Sequence, residues 1–441
     1  MADIKSKYDV IIVGTGVAGL NCAINLPKDK SVLVICKKLP KESDSYLAQG
    51  GICRLRDESD YEEYYNDTMR AGHYENNPAA VECMIRSSQE IIDDLINLGV
   101  EFNRNEDGSL AYTREGGHTS PRICFHEDTT GQEITSCLMK KALSLENVQF
   151  VYNTVLVDII ENGKECLGVV AYDKKEKKPF KVYADYTVLA TGGIGGALGN
   201  TTNFSVLTGD SLAICLNHGV AVDHINYIQV HPTSLYSKRR GRKFLISESV
   251  RGEGAHLLDK NFNRFTDELK PRDVVTAAIL KKMEEDGTKH VWLDMRPIDR
   301  EELASHFPLI INRCKEEGYD AFTQPVPVVP AIHYFMGGVR SDLDGRTTLN
   351  RLYAVGETCC NGVHGRNRLA SNSLLESLVF AKRAAKDVAA SYCKIPEEIA
   401  KLSGEKINLE DYSDLNKTLR KYKRRVRAAV RQANRAENKE D

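Results

Sequence analysis

Uninterrupted apolar runs alternate with helically spaced apolar residues along most of the chain, and glycine-rich loops separate them. The run Val10–Val13 has the continuous apolar character of a parallel strand buried on both faces. Gly14, Gly16 and Gly19 follow at G-x-G-x-x-G spacing. Leu20–Leu26 continues as a helix that stops near Pro27, and a second strand is expected over Ser31–Cys36. Each glycine has a physical task in such a strand–turn–helix. Gly14 permits the tight turn, Gly16 lets a pyrophosphate approach the backbone, and Gly19 lets the helix pack close to the sheet. The first helical N–H groups would then face phosphate oxygens at the positive end of the helix dipole. The second strand ends Ile35-Cys36-Lys37-Lys38, without the acid that often holds a ribose there. The pattern therefore predicts a dinucleotide without saying which one.

Further along, Asn77–Leu98 carries Val81, Met84, Ile85, Ile91, Ile92 and Leu95 at helical spacing and stops at Gly99. Glu42–Gly51 reads as a ligand-binding loop and Tyr112–Ile123 as a polar, irregular one. Gly131–Leu145 looks helical. Val148–Val157 and Cys166–Tyr172 read as strands, the turn at Asn162-Gly163 lying between them, and Phe180–Ala190 as a strand running into Thr191-Gly192-Gly193. Asp210 opens another helix, where capping is the commoner role and holding a ligand hydroxyl the alternative. From about Ile225 polar and charged clusters replace this regularity, so residues 225–334 are taken as an inserted domain. The strand Leu352–Val355 then runs into Gly356-Glu357, as a return to the first sheet. Ser371 or Asn372 would cap the helix Leu374–Ala390. The tail, Ile407–Asp441, reads as a basic helix on an apolar seam of Leu415, Leu419, Tyr422, Val426 and Val430. Its charged face is solvated or meets another subunit or an anionic partner.

Composition narrows the picture. A chain of 441 residues with net charge −2 argues against gross attraction to nucleic acid or acidic lipid. No apolar run approaches the ~18 residues of a membrane helix, and polar Met1–Lys7 gives no secretory signal. The 12 cysteines form no C-x-x-C pair and no zinc-spaced cluster, so no metal is expected and reduced thiols in the cytoplasm are. Adjacent Cys359-Cys360 suits a structural disulfide poorly, a redox-active pair being the alternative. The polar clusters hold His231, His333, Arg251, Arg272, Arg368, Ser247, Ser373, Glu115 and Glu248. Several arginines and histidines around one pocket suit a small dicarboxylate, since guanidinium offers a planar fork to each carboxylate.

The chain resembles the succinate dehydrogenase/fumarate reductase flavoprotein superfamily and, within it, the L-aspartate oxidases. The resemblance runs from Asp9 to about Ala390, through motifs in order: Gly14–Gly19, Ala48-Gln49-Gly50-Gly51, Arg114-Glu115-Gly116-Gly117-His118, Ala190–Gly193, His231-Pro232-Thr233, Arg251–Gly254, Pro271-Arg272-Asp273, His333–Gly338, Gly356-Glu357 and Asn367–Ser373. It implies an α/β fold, a Rossmann-like FAD-binding domain (1–224 plus 335–400) with an inserted α+β capping domain (225–334) and a short basic helical C-terminal segment (401–441). Longer members carry a helical third domain, and here only about fifty residues follow the Leu374 helix.

The resemblance also implies FAD rather than NAD. It is held by Gly14, Thr15, Gly16, Val17, Ala18, Gly19 and Lys37, by Asp44, Ser45, Tyr46, Leu47, Ala48, Gln49, Gly50 and Gly51, and by Asp210, Glu357, Ser373 and Leu374. Asp44 stands where respiratory members carry the histidine that bonds covalently to FAD, so the flavin is expected to be non-covalent. Glu115 is similar to the glutamate of aspartate oxidases, and a carboxylate would pair with the ammonium that distinguishes aspartate from succinate. The implied reaction is oxidation of L-aspartate to iminosuccinate, dioxygen or fumarate reoxidising the flavin, as a first step towards quinolinate and NAD. His231, Ser247, His333 and Arg368 would hold the carboxylates and Glu115 the amine. Arg272 would be proton donor/acceptor, and Glu248 with Arg251 its relay. Quinolinate synthase is the transient partner this suggests; neither nucleic acid nor membrane is expected. Three rivals remain: a soluble fumarate reductase, an RNA-binding flavoprotein that uses the basic tail, and a catalytic subunit of a membrane complex.

Overall fold

A computed structural model describes residues 4–239 and 241–438. The first apolar run forms the strand Lys7–Val13, central in a seven-stranded sheet. Val32–Ile35 and Lys178–Leu189 flank it in parallel, and Val148–Val151 extends the sheet in parallel beyond Val32–Ile35. The long strand Lys178–Leu189 has two partners on its other side. Its first half pairs antiparallel with Cys166–Asp173, which pairs in turn with Thr154–Glu161, and its last residues pair in parallel with Leu352–Ala354. The late strand thus does rejoin the first sheet.

Alternate side chains of these strands serve two cores, as the pleat requires. Val10, Ile12, Val32 and Val34 pack with Ala18, Cys22 and Ala23 of the helix Val17–Asn25 and with Ala381, Ala384 and Ala385 of the helix Asn372–Ala390. Ile11, Val13, Leu33 and Ile35 face the other way, onto Leu212, Ala213 and Ile214 of the helix Asp210–Asn217. The tail helix Leu415–Glu437 joins that second core through Tyr422, Val426 and Val430. It begins with Asp414, whose side chain accepts from the Lys417 amide. Residues 439–441 of the expected tail, like residues 1–3 of the polar N-terminus, lie outside the described residues.

A second sheet, antiparallel and five-stranded, runs in the order Phe244–Leu245, Ile228–Leu235, Val326–Phe335, Val291–Asp294 and His256–Leu258. Its own core includes Ile246, Leu257, Val275, Leu293, Phe307 and Val328.

Several expectations need correction. Val148–Val157 is two strands rather than one. Asn153 adopts φ +53°, which asparagine tolerates, and the chain there straddles the end of the second strand. Cys36 donates to Val151 O on one side of the break and accepts from Thr154 N on the other. The loop Glu42–Gly51 contains one helical turn, Asp44–Leu47, capped by Ser43. The helices Tyr61–Ala71 and Glu397–Glu405 were not anticipated. Cys359 and Cys360 are both buried in a short strand, and burial raises both thiols, Cys360 to about 12, which disfavours the reactive thiolate.

Candidate active site

One cleft runs from the glycine turn to the polar clusters and encloses about 1720 Å³ of empty space, its open mouth included. Its lining runs from Gly14 and Lys37 at one end to Glu115, His231 and Arg368 at the other, which suits an extended cofactor with a small substrate beyond it.

At the glycine end, Gly14 has φ +117°, and a Cβ on it would lie 2.0 Å from the Ala190 carbonyl oxygen. A Cβ on Gly19 would lie 2.2 Å from Gly14 O. Only glycine allows strand, turn and helix to come this close. Gly16 caps Val17–Asn25 without a side-chain bond, and Gly14, Thr15, Gly16 and Ala18 line the cleft. Ser45 reaches this turn, accepting from the Val17 amide at 3.2 Å. Beyond it, Lys37 Nζ meets Asp210 Oδ2 at 2.6 Å and donates to Val206 O and Thr208 Oγ1. Asp210 therefore holds a lysine instead of capping its helix, whose N-cap is left-handed Gly209.

Midway along the wall sit two partly buried acids. Asp44 accepts from Phe204 N at 3.0 Å and from Asn203 Nδ2, and burial raises its carboxyl to about 7. Glu357 accepts from Phe335 N at 2.9 Å, and burial followed by repulsion from Asp44 pushes it well above the usual carboxylate range. A Cβ on Gly193 would lie 2.3 Å from Glu357 Oε1, so that glycine keeps the wall open beside the acid. Glycine cradle, helix N-terminus and a long wall that sets these acids among apolar residues such as Leu156, Leu207 and Val355 fit a dinucleotide with a bulky second half.

At the far end two short loops close on carboxylates. A Cβ on Gly50 would lie 2.2 Å from Glu115 Oε1, and one on Gly116 would lie 2.3 Å from Glu248 Oε1. Glu115 is buried; Ser249 Oγ donates to its Oε1 at 3.0 Å and Ser371 Oγ to its Oε2. Burial, then repulsion from Glu248, raises its carboxyl. Glu248 opens the helix Glu248–Gly252 behind its N-cap Ser247, and Arg272 opens the helix Arg272–Asp286. Arg272 Nε donates to Glu248 Oε2 at 2.5 Å, and Arg251 Nη2 lies 3.2 Å from Glu248 Oε1. Burial opposes ionisation of Glu248, but Arg272 and Arg251 outweigh it and hold the carboxyl low. Arg368 lies 4.7 Å above the Tyr334 ring and donates to Ser373 Oγ at 3.2 Å, and burial lowers its guanidinium to about 10.

His231 and His333 stand on paired strands with ring centroids 5.2 Å apart, where a register shift after His231 re-aims the backbone. Burial, then Arg272, holds both imidazoles neutral. His231 Nδ1 accepts from the Thr233 amide, so Nε2 carries the proton. That Nε2 is buried without a partner among the described residues, as is Arg368 Nε. Buried donors without partners call for a bound acceptor.

The cleft thus brings together nearly all the residues singled out from sequence. Val17, Gly19 and Tyr46 stand off its wall, and Arg251 sits behind Glu248. Ser371 does not cap its helix: it is the N-cap residue, but left-handed at φ +60°, and its hydroxyl goes to Glu115. Sequence reasoning missed Ser249, Gln229 and Tyr334. Gln229 Oε1 accepts from Arg272 Nη1 at 2.9 Å while its Nε2 donates to Asn367 Oδ1 and Arg368 O. Its place beside His231 in the strand was the available signal.

Fold and cleft define an FAD-binding flavoprotein, and the FAD binding domain family matches residues 9–374. The chain is 44% identical over 385 residues to the L-aspartate oxidase of Clostridium perfringens, covering 87% of each chain, and 45% identical over 383 residues to that of Clostridium acetobutylicum, covering 87% of this chain and 88% of that one. Among solved structures it is similar to a chain of E. coli quinol fumarate reductase, with TM-score 0.83 and 30% identity over 90% of this chain and 73% of that one. It belongs to the L-aspartate oxidase family, within the succinate dehydrogenase/fumarate reductase flavoprotein superfamily.

Proposed function

We propose that this chain oxidises L-aspartate to iminosuccinate with FAD held non-covalently in the cleft, as a first step of quinolinate and NAD biosynthesis. The observation that carries the reading is a buried carboxylate, Glu115, that pairs with no arginine among the described residues, in a pocket lined also by Arg272, Arg368, His231, His333 and the arginine-bound Glu248. The arginines and the His231 Nε2–H take the two substrate carboxylates, with Ser247 alongside. Glu115 accepts from the ammonium, and its raised proton affinity suits it to take the proton that must leave as the imine forms. FAD, when bound, supplies the acceptor for the hydride equivalent leaving the substrate Cα. Its pyrophosphate belongs at Gly14–Gly19, its ribose near Lys37 and Asp210, and its remainder along residues 44–51, Glu357, Ser373 and Leu374. Asp44 has no nitrogen with which to tether a flavin, which supports non-covalent binding.

Dioxygen or fumarate takes up the two reducing equivalents, giving hydrogen peroxide or succinate. With fumarate, Arg272 is placed to donate a proton to carbon. Guanidinium rarely gives one up, but here it abuts Glu248, itself against buried Arg251, so that a proton lost is replaced along a short charged row. We assign residues 1–224 plus 335–400 to FAD binding, 225–334 to the cap over the substrate and 401–441 to a covering segment. All twelve cysteines are free, which supports a reducing cytoplasmic setting, and a hand-over of iminosuccinate to quinolinate synthase belongs to the same reading. The test is anaerobic mixing with L-aspartate. Bleaching of the oxidised-flavin band is expected, with the flavin recovered in solution after acid precipitation of the protein. Bleaching by another dicarboxylate donor but not by aspartate would overturn the substrate, and flavin retained in the precipitate would overturn the binding mode.

A further inference from the structure

His118 lies on the same tight turn as Glu115, is buried, and does not line the cleft. Its Nδ1 is 3.1 Å from Arg122 Nη1 and its Nε2 is 3.0 Å from the Ala370 carbonyl oxygen. Guanidinium only donates, so Nδ1 is the acceptor and the imidazole proton sits on Nε2, directed at Ala370 O. Burial and Arg122 hold the ring neutral, at about 4, in agreement with that assignment. Arg122 is itself fully buried and paired with Asp60 at 2.9 Å and Asp67 at 2.8 Å, so the donor behind His118 is held by two carboxylates.

The residue after Ala370 is Ser371, in the left-handed conformation that a β-carbon disfavours. Such a geometry persists only where its surroundings enforce it. Here Ser371 O takes the Cys53 amide at 3.1 Å and Ala370 O takes His118. The result is that the Ser371 hydroxyl, instead of capping the helix it precedes, points at Glu115 Oε2. One turn therefore grips two consecutive residues: His118 holds 370 and Glu115 binds 371. Arg368, two residues earlier, is anchored separately, through Gln229 Nε2 on its carbonyl at 2.7 Å.

We propose that His118 is a positioning residue for recognition of the substrate amino group: by holding the Ala370 carbonyl it keeps Ser371 left-handed, so that the Ser371 hydroxyl fixes the Glu115 carboxylate towards the ammonium. The inference rests on the reading of Glu115 given above. It assigns His118 to selection of an amino dicarboxylate over a plain one, apart from the groups that bind the carboxylates.

The test compares His118→Asn, His118→Gln and Ser371→Ala in FAD-loaded enzyme. A Gln side-chain nitrogen falls near the Nε2 position and keeps the donor to Ala370 O, whereas Asn reaches only the Nδ1 position and loses it. The readouts are kcat and KM for L-aspartate and the dissociation constant of succinate, titrated by the flavin difference spectrum. His118→Asn and Ser371→Ala are expected to raise the aspartate KM about tenfold, the loss of roughly one hydrogen bond to a charged group, with succinate binding changed less than about threefold. His118→Gln is expected to stay near wild type for both ligands. Equal loss of aspartate and succinate binding in His118→Asn, or a His118→Gln as impaired as His118→Asn, overturns the proposal. If His118→Asn does not fold, a Ser371→Ala variant without selective loss of aspartate overturns it equally. Glu115→Gln serves as the control: if it leaves aspartate-over-succinate discrimination intact, it is the reading of Glu115 that fails.

Discussion

Replacing Glu115 by Gln isolates the charge of a carboxylate that, unlike Glu248 beside it, is bound by serine hydroxyls and by no arginine among the described residues. The side chain keeps its shape. One oxygen still accepts from a serine hydroxyl, and the other hydroxyl, of Ser249 or Ser371, turns to accept from the new amide. Repulsion from Glu248 also disappears. Stability is therefore expected to change by less than about 1 kcal/mol. Binding is another matter, because the partner lost is a fully buried charge facing an ammonium. Truncating one side of such a pair costs about 2–4 kcal/mol, a factor of roughly 30 to 1,000 in kcat/KM for aspartate. Succinate has no ammonium and should bind within about threefold of wild type or more tightly, since a negative charge has left a pocket for a dianion. Steady-state oxidation of L-aspartate and a succinate titration read the two terms separately. Parallel weakening of both ligands, or of neither, refutes the assignment.

Two other consequences concern the scaffold. His218 Nε2 lies 2.7 Å from Asp158 Oδ1, and that bond raises its imidazole above 6.5 despite burial. The stabilisation is fully present below pH 6.5 and is lost as pH rises through the raised value, so melting temperature should fall across that window and His218→Asn should flatten the slope; an unchanged slope would dismiss the pair. Val426 of the tail helix is wholly buried against the first sheet's core, so Val426→Ala should cost about 2 kcal/mol in urea unfolding of the full chain. A cost near zero would mean the tail is detached in solution.

What could be read from the sequence was what is local. The run Val10–Val13, the glycines after it and the acid-ended strand at Glu357 each carry their signal in adjacent residues, and the sheet formed as those signals imply. The charged end of the cleft was legible as a cluster because charged residues recur beside glycines, and Gly50 and Gly116 leave room for Glu115 and Glu248. What was illegible depends on residues far apart. Ser371 looked like a helix cap because serine favours that place; only the grip of Cys53 and His118 from other segments turns it away. Asp210 likewise looked like a cap, and Lys37, 173 positions away, claims it instead. The break at Asn153 was missed for a different reason. The residue tolerates the left-handed region and so was a signal, outweighed by the apolar residues on both sides of it.

The charges at the substrate end lead to a last expectation. With His231 and His333 neutral, the guanidinium groups of Arg251, Arg272 and Arg368 face the carboxylates of Glu115 and Glu248, which leaves one surplus positive charge. L-Aspartate at neutral pH carries one net negative charge and closes that account; succinate carries two and overshoots it. In a buried pocket an uncompensated charge is costly, so succinate is best accepted when Glu115 takes up a proton. Glu115 is the group suited to do so, because burial and Glu248 already raise its affinity for one. Succinate binding should therefore weaken as pH rises through the raised Glu115 value, with a proton taken up from buffer on binding, whereas aspartate, which needs the ionised form, should not weaken over the same range. Calorimetry of succinate binding in two buffers of different ionisation enthalpy measures that proton directly. In Glu115→Gln both the proton uptake and the pH slope should vanish. If succinate binds without proton uptake, or if the slope survives the substitution, Glu115 is not the group that lets one pocket accept both an amino dicarboxylate and a plain one.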